Sequence, residues 1–257
     1  MRLAHDRGGD GPPLVLLHPL GADRRVWDPV RGLLATEREV IAVDLPGFGA
    51  SPALPGAIAP TPRALAVAVR DFCEQELGLA GWHVAGNSLG GWVALELGVL
   101  GVVRSVTAIA PAGLWGGPLA PKPSAARRLA RLMLPAVGPA ARVPALRRLA
   151  LMGSVAHPER VPPAAAAHLI RSYARAPGFP AANAAMRAGR FADLGAIDVP
   201  VTLVWPDHDR LIARPRTLAE GVREVVLADA GHIPMWDDPE DVALALLEGS
   251  AVSSAPC

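Results

Sequence analysis

Residues 86–90 read Gly-Asn-Ser-Leu-Gly, which puts Ser88 in the spacing G-x-S-x-G. A serine hydroxyl attacks a carbonyl only when a base takes its proton and a third group orients that base. With 26 glycines in the chain the pentapeptide arises easily by accident, so its setting has to decide its meaning. Before it runs "WHVAGN", an apolar strand pattern, and after it "GGWVALELGVL", a helical one. Ser88 therefore stands at a strand-to-helix joint, the context of a nucleophile elbow. So sharp a turn leaves no room for side chains at Gly86 and Gly90. It also presents the serine at a helix N-terminus, whose free N–H groups favour developing negative charge.

Among seven histidines, His232 in "ADAGHIPMWDDPE" lies between the last strand pattern and the last helical one. That placement makes it the expected base. His18 also follows a strand pattern but precedes Ser88, and is expected to brace a loop. The acid has two candidates, since "VTLVWPDHDRLIARP" ends a strand with both Asp207 and Asp209. No acid directly follows "SVTAIAPAG", so the neighbouring strand offers no alternative. Asp44, in "VDLPGFGAS", is expected to shape a loop, and Asp237 or Asp238 to favour the start of the last helix.

The elements that must position these residues follow from hydrophobic periodicity. Six short β-branched runs, at 14–18, 40–44, 82–87, 105–110, 201–205 and 224–229, are separated by helical patterns. Near-continuous apolar strands alternating with helices indicate an α/β fold, a mostly parallel sheet covered on both faces. Residues 112–192 carry no strand pattern but several helical stretches, broken by Pro121, Pro135, Pro139, Pro144 and Pro177. We expect a core of residues 1–111 and 193–257 with a helical cap, 112–192, inserted over the carboxyl edge of the sheet.

At 257 residues, 51% hydrophobic and 19% charged, the chain can bury a sizeable core. No apolar run reaches the roughly 18 residues of a membrane span. "MRLAHDRGGDGPP" lacks the apolar region of a signal peptide, so a cytoplasmic location is expected. Cys73 and Cys257 make neither a disulfide framework nor a metal site. No metal-ligand spacing, phosphate loop, dinucleotide fingerprint or nucleic-acid motif appears, so no cofactor, metal or nucleic-acid partner is expected.

The motifs "LLHPLG", "VIAVDLPGFGAS", "GNSLGG", "VWPDHD" and "GHIPMWDDPE" together resemble the α/β-hydrolase superfamily, in its group of capped serine hydrolases. The resemblance covers nearly the whole chain outside the cap. It implies Asp209 as the acid, with Pro206 standing where the family usually has glycine, and the chain order Ser88, Asp209, His232 obeys that of the fold. It also implies an oxyanion hole made by the backbone N–H groups of Leu89 and Leu20, because Pro19 has none to donate. With serine as nucleophile, it argues against dehalogenase or epoxide-hydrolase chemistry, which runs through an alkyl ester of a carboxylate.

The expected activity is hydrolysis of a carboxylic ester or lactone through an acyl-enzyme on Ser88. Leu114, Trp115, Leu132 and Met133 are expected to line an apolar substrate pocket with Leu20 and Leu89. A carbon–carbon bond hydrolase of vinylogous diketones is the nearest alternative, since "GNSLGG" resembles that family's elbow. A non-catalytic small-molecule-binding member of the fold is the alternative of another class. Charge adds one detail. Residues 112–192 hold Lys122 and eleven arginines against Glu159 alone, a net +11, which leaves −10 for the rest of a chain of net +1. The arginines either solvate outer helix faces or attract an anionic small-molecule substrate.

Overall fold

The computed structural model describes residues 1–120, 125–217 and 221–251. Pro121, Lys122 and Cys257, which entered the sequence reading, lie outside the described residues. Seven strands form one sheet: β1 (His5–Gly8), β2 (Pro13–Leu17), β3 (Glu39–Val43), β4 (Trp82–Asn87), β5 (Val103–Ile109), β6 (Val201–Pro206) and β7 (Arg223–Leu227). Their spatial order is β1-β3-β2-β4-β5-β6-β7. All neighbours run parallel except β1, which pairs antiparallel with β3 at the edge. Each of the six apolar runs is a strand. The additional strand β1 reads His-Asp-Arg-Gly, with none of the apolar residues by which strands are recognised, because an edge strand needs little burial.

Helices cover both faces. On one, α2 (Pro62–Asp71) and α3 (Leu89–Val99) bury Leu65, Val69, Trp92, Val93 and Leu97 against the sheet. On the other, α1 (Asp28–Leu34) and α9 (Pro239–Gly249) bury Val30, Leu34, Val242 and Leu246. Between β5 and β6 the described residues form five helices: α4 (Ala125–Leu132), α5 (Val137–Arg142), α6 (Pro144–Leu151), α7 (Pro163–Arg175) and α8 (Phe179–Ala188). Of the prolines that break the pattern, Pro144 starts α6, and Pro163, not among them, starts α7; at both positions the missing N–H costs nothing.

This helical insertion is tied to loops that leave the carboxyl ends of the parallel strands. Gly178 N–H donates to Gly47 O after β3, Phe191 N–H to Gly113 O after β5, and Ile233 N–H, after β7, to Ser154 O of the insertion. Asp23, after β2, accepts from His168 and Ser172 of α7. Residues far apart in sequence thus meet at one edge of the sheet.

Candidate active site

Ser88 joins β4 to α3 at φ 56°, ψ −113°, a left-handed conformation that costs a non-glycine residue of the order of 1–3 kcal/mol. The surroundings hold it there. Ser88 N–H donates to Ile109 O at 2.9 Å, while its carbonyl accepts from Trp92 N–H and Ala112 N–H, both at 3.0 Å. The flanking glycines are steric necessities: a Cβ on Gly86 would lie 2.1 Å from Gly90 O, and one on Gly90 would lie 2.1 Å from Leu17 O.

His232 lies on the loop between β7 and α9, and Asp209 follows the carboxyl end of β6. His232 Nδ1 and Asp209 Oδ2 are 2.7 Å apart, with only 6% and 4% of the two side chains exposed. A carboxylate can only accept, so Nδ1 is the donor, and in the neutral ring the lone pair then lies on Nε2. Burial acts to raise the Asp209 carboxyl. The bond and charge of His232 and the N–H groups of Ile212 and Leu211 more than offset it, holding the carboxyl below its ordinary value. Asp207, by contrast, is exposed and, among the described residues, accepts only from Ala230 N–H, at 3.3 Å. The Pro206 turn closes normally, with Asp209 N–H donating to Pro206 O. Among the described residues the Ser88 hydroxyl makes no hydrogen bond, to His232 or any other group.

The register of β2 against β4 sets Leu17 beside Gly86, so the segments holding Leu20 and Leu89 leave the sheet side by side. Leu89 is the first residue of α3, and neither its N–H nor that of Leu20 donates to another group among the described residues. His18 braces the same loop. Burial pushes its pKa down, and the neutral ring donates from Nδ1 to Pro19 O at 2.8 Å and accepts from Leu45 N–H at 3.0 Å. Asp44 is a loop former too, accepting from Arg24 N–H, the Arg24 guanidinium and Ala50 N–H.

Asn87 and Asp23 escaped the sequence reading, and Asp237 entered it only as an acid that could favour the start of the last helix. Asn87, next to Ser88, donates from Nδ2 to Ile109 O at 3.1 Å and His232 O at 3.0 Å, linking the elbow to the histidine loop. Asp23 is bonded by His168, Ser172 and Arg25 N–H; burial acts to raise its carboxyl, but these partners hold it well below the carboxylate range. Asp237 is 3% exposed and accepts from Gly231, Ala156 and His157 N–H groups, while Asp238 caps α9 through Asp241 N–H. Except for Arg25 N–H to Asp23, Gly231 N–H to Asp237 and Asp241 N–H to Asp238, these bonds join residues far apart in sequence, beyond the reach of local patterning.

The four expected pocket residues divide. Leu114 and Trp115 follow β5 and are half-buried against the core; Trp115 donates from Nε1 to Gly189 O at 2.8 Å and meets Trp92 edge-on. Leu132 and Met133 are not delivered to an enclosed pocket, being 78% and 47% exposed. The reason is Arg127: its guanidinium donates to Tyr173 O and Ala176 O and lies 5.1 Å from the Phe179 ring centre. That arginine occupies the inward face of α4, so the leucine face turns outward. A cavity of about 220 Å³ opens on His232 and is lined also by Arg148, Arg210, His208 and Glu159, but not by Ser88, Leu20 or Leu89. Among the described residues no cluster of three or more His, Cys, Asp or Glu could hold a metal ion, and no helix is long and apolar enough to cross a membrane.

A doubly covered parallel sheet with a strained serine at a strand-to-helix turn defines the α/β-hydrolase class. The family model described as "Alpha/beta hydrolase family" matches residues 14–246, so the chain belongs to that family and is a hydrolase. It is 34% identical to epoxide hydrolase EphH of Mycobacterium tuberculosis over 186 residues, 66% of this chain and 87% of that one. It is 41% identical to the pimeloyl-[acyl-carrier protein] methyl ester esterase of Aeromonas hydrophila over 97 residues, but that match spans only 38% of this chain and 36% of the esterase. Among solved structures, a thermophilic esterase from Thermogutta terrifontis superposes with a TM-score of 0.71 at 26% identity, covering 96% of this chain and 92% of that one.

Proposed function

We propose that this hydrolase cleaves a carboxylic ester or lactone through an acyl-enzyme on Ser88, with His232 as base and Asp209 as its orienting acid. The observation that carries the reading is the buried 2.7 Å bond between His232 and Asp209 at the sheet edge where Ser88 is held in its strained turn. In this reading Ser88 Oγ attacks the substrate carbonyl carbon as His232 Nε2 accepts the hydroxyl proton. Negative charge on the carbonyl oxygen meets the N–H groups of Leu20 and Leu89 at the positive end of α3. The C–O bond to the leaving alcohol breaks as His232 returns the proton to that oxygen. A water molecule, deprotonated by His232, then attacks the acyl carbon and releases the carboxylic acid with Ser88 restored. Asn87 holds the histidine loop in place through His232 O.

The helical insertion acts as a cap whose half-buried Leu114 and Trp115 border the acyl side. For the substrate we favour an ester or lactone with an acidic substituent, supported by Arg148 and Arg210 in the cavity that reaches His232. Serine in place of a carboxylate at the elbow argues against an alkyl-enzyme of the epoxide-opening kind. The buried His232–Asp209 pair at the edge that carries the strained Ser88 counts against a protein that only binds a ligand.

A fluorophosphonate probe followed by peptide mapping tests this. Labelling is expected on Ser88 and lost in Ser88→Ala, together with several orders of magnitude in turnover of p-nitrophenyl esters. Full labelling of Ser88→Ala would refute it, and turnover of a dienoate diketone without ester turnover would replace it by carbon–carbon hydrolysis.

A further inference from the structure

Two helices of the insertion are turned inside out. On α4, Leu129, Leu132 and Met133 share a face by their three- and four-residue spacing, and they are 61%, 78% and 47% exposed. The opposite face carries Arg127, which reaches inward to Tyr173 O and Ala176 O. α6 repeats the inversion in part. Its inward side buries Arg147, which donates to Pro158 O and Ala141 O, beside Leu151, while Leu146 and Leu149 stand out to solvent. A water-soluble surface has no reason to pull two arginines in and set five large apolar side chains out, unless that surface meets something apolar.

Charge says what it meets. Residues 125–152 hold six arginines and no acidic residue. Arg128, Arg131 and Arg142 are exposed around the leucines, and none lies within ion-pair distance of a carboxylate among the described residues. Leu129, Leu132 and Leu149 are each more than 60% exposed, so these side chains project into solvent. Projecting leucines interspersed along one segment with exposed guanidinium groups that have no carboxylate partner among the described residues fit a fluid anionic surface, into whose acyl boundary the leucines sink while arginines meet phosphates. We propose that the outward sides of α4 and α6, two helices that both pack on α7, dock the protein peripherally on an anionic lipid bilayer. The docking is independent of the chemistry at Ser88.

Co-sedimentation with vesicles of ether-linked phosphatidylglycerol, which no esterase can cleave, tests it against ether-linked phosphatidylcholine. Partition onto the anionic vesicles is expected to be about tenfold stronger or more, and to weaken as salt rises above about 0.1 M. Leu129→Ser/Leu149→Ser and, separately, Arg128→Glu/Arg131→Glu are expected each to reduce it by about tenfold or more with the thermal midpoint unchanged. No partition of the wild-type protein, equal partition of the variants, or no preference for the anionic lipid would overturn the proposal. So would a lipid-free dimer in solution that Leu129→Ser/Leu149→Ser converts to monomer, since the face would then be covered by a second copy.

Discussion

The Asp237 carboxylate accepts the backbone N–H of Gly231 at 2.8 Å, one residue before His232. The same carboxylate holds Ala156 and His157 N–H groups of the insertion at 2.9 and 2.7 Å. One buried acid thus fastens the histidine loop to the helical insertion, and Gly231 must lack a side chain because a Cβ would lie 2.6 Å from Ala156 N.

Asp237→Ala removes the acceptor of three N–H groups, and leaving buried donors unpaired costs of the order of 1–3 kcal/mol each. We expect a lowered thermal midpoint and a drop in kcat with little change in KM for a small ester, because the histidine rather than the pocket is displaced. Asp237→Asn, which keeps an acceptor, is expected to recover part of both. An Asp237→Ala enzyme with wild-type kcat would show that the loop is held by Asn87 and Ile233 alone.

The two neighbouring aspartates are separable by kinetics. Asp209→Asn removes the carboxylate that fixes the His232 tautomer and is expected to cost kcat a factor on the order of 10⁴. Asp207→Asn, at an exposed position with one long bond, is expected to cost less than about tenfold. Reversed effects in steady-state ester hydrolysis would assign the acid to Asp207.

The elbow glycines tolerate no side chain. Gly90→Ala forces a methyl into Leu17 O and Gly86→Ala into Gly90 O. Each is expected to destabilise by about 1–3 kcal/mol or more and to abolish activity in the fraction that folds. Denaturant unfolding measures the first effect and probe labelling of Ser88 the second.

Stability is expected to fall in two stages on acidification. Burial, with Arg38 and Arg104 nearby, depresses the His83 imidazole from 6.5 to about 4, so the unfolded chain takes up a proton that the folded one refuses. Stability from this group is full above 6.5 and declines as pH falls towards about 4. Asp23, depressed by His168 and Ser172, contributes stability above the ordinary carboxylate value and loses it as pH falls below about 4. Thermal midpoints across pH should show both stages, with His83→Gln lacking the first and Asp23→Asn the second.

The cavity arginines should act only on charged substrates. For an ester with an acidic substituent, Arg148→Ala/Arg210→Ala is expected to raise KM by about tenfold and remove the salt dependence of kcat/KM, while a neutral ester of equal size barely responds. Equal losses for both esters would make the pair structural.

Local patterning was enough for the six apolar strands, the helical character of 112–192 and the elbow, because each depends on contacts between residues close in sequence. Ser88 and His232 stood out as candidates for the same reason: each sits where one element ends and the next begins. Asp207 and Asp209 could not be separated that way, since they share one turn and only the fold shows which of them meets a histidine 23 residues further on. Nor could periodicity find β1, whose pairing with β3 rests on backbone bonds rather than apolar side chains. The outward leucines of α4 show the limit most plainly. An amphipathic pattern says that two faces differ, but which face turns inward was decided by Arg127 finding Tyr173 O and Ala176 O, partners nearly fifty residues away whose positions only tertiary packing supplies.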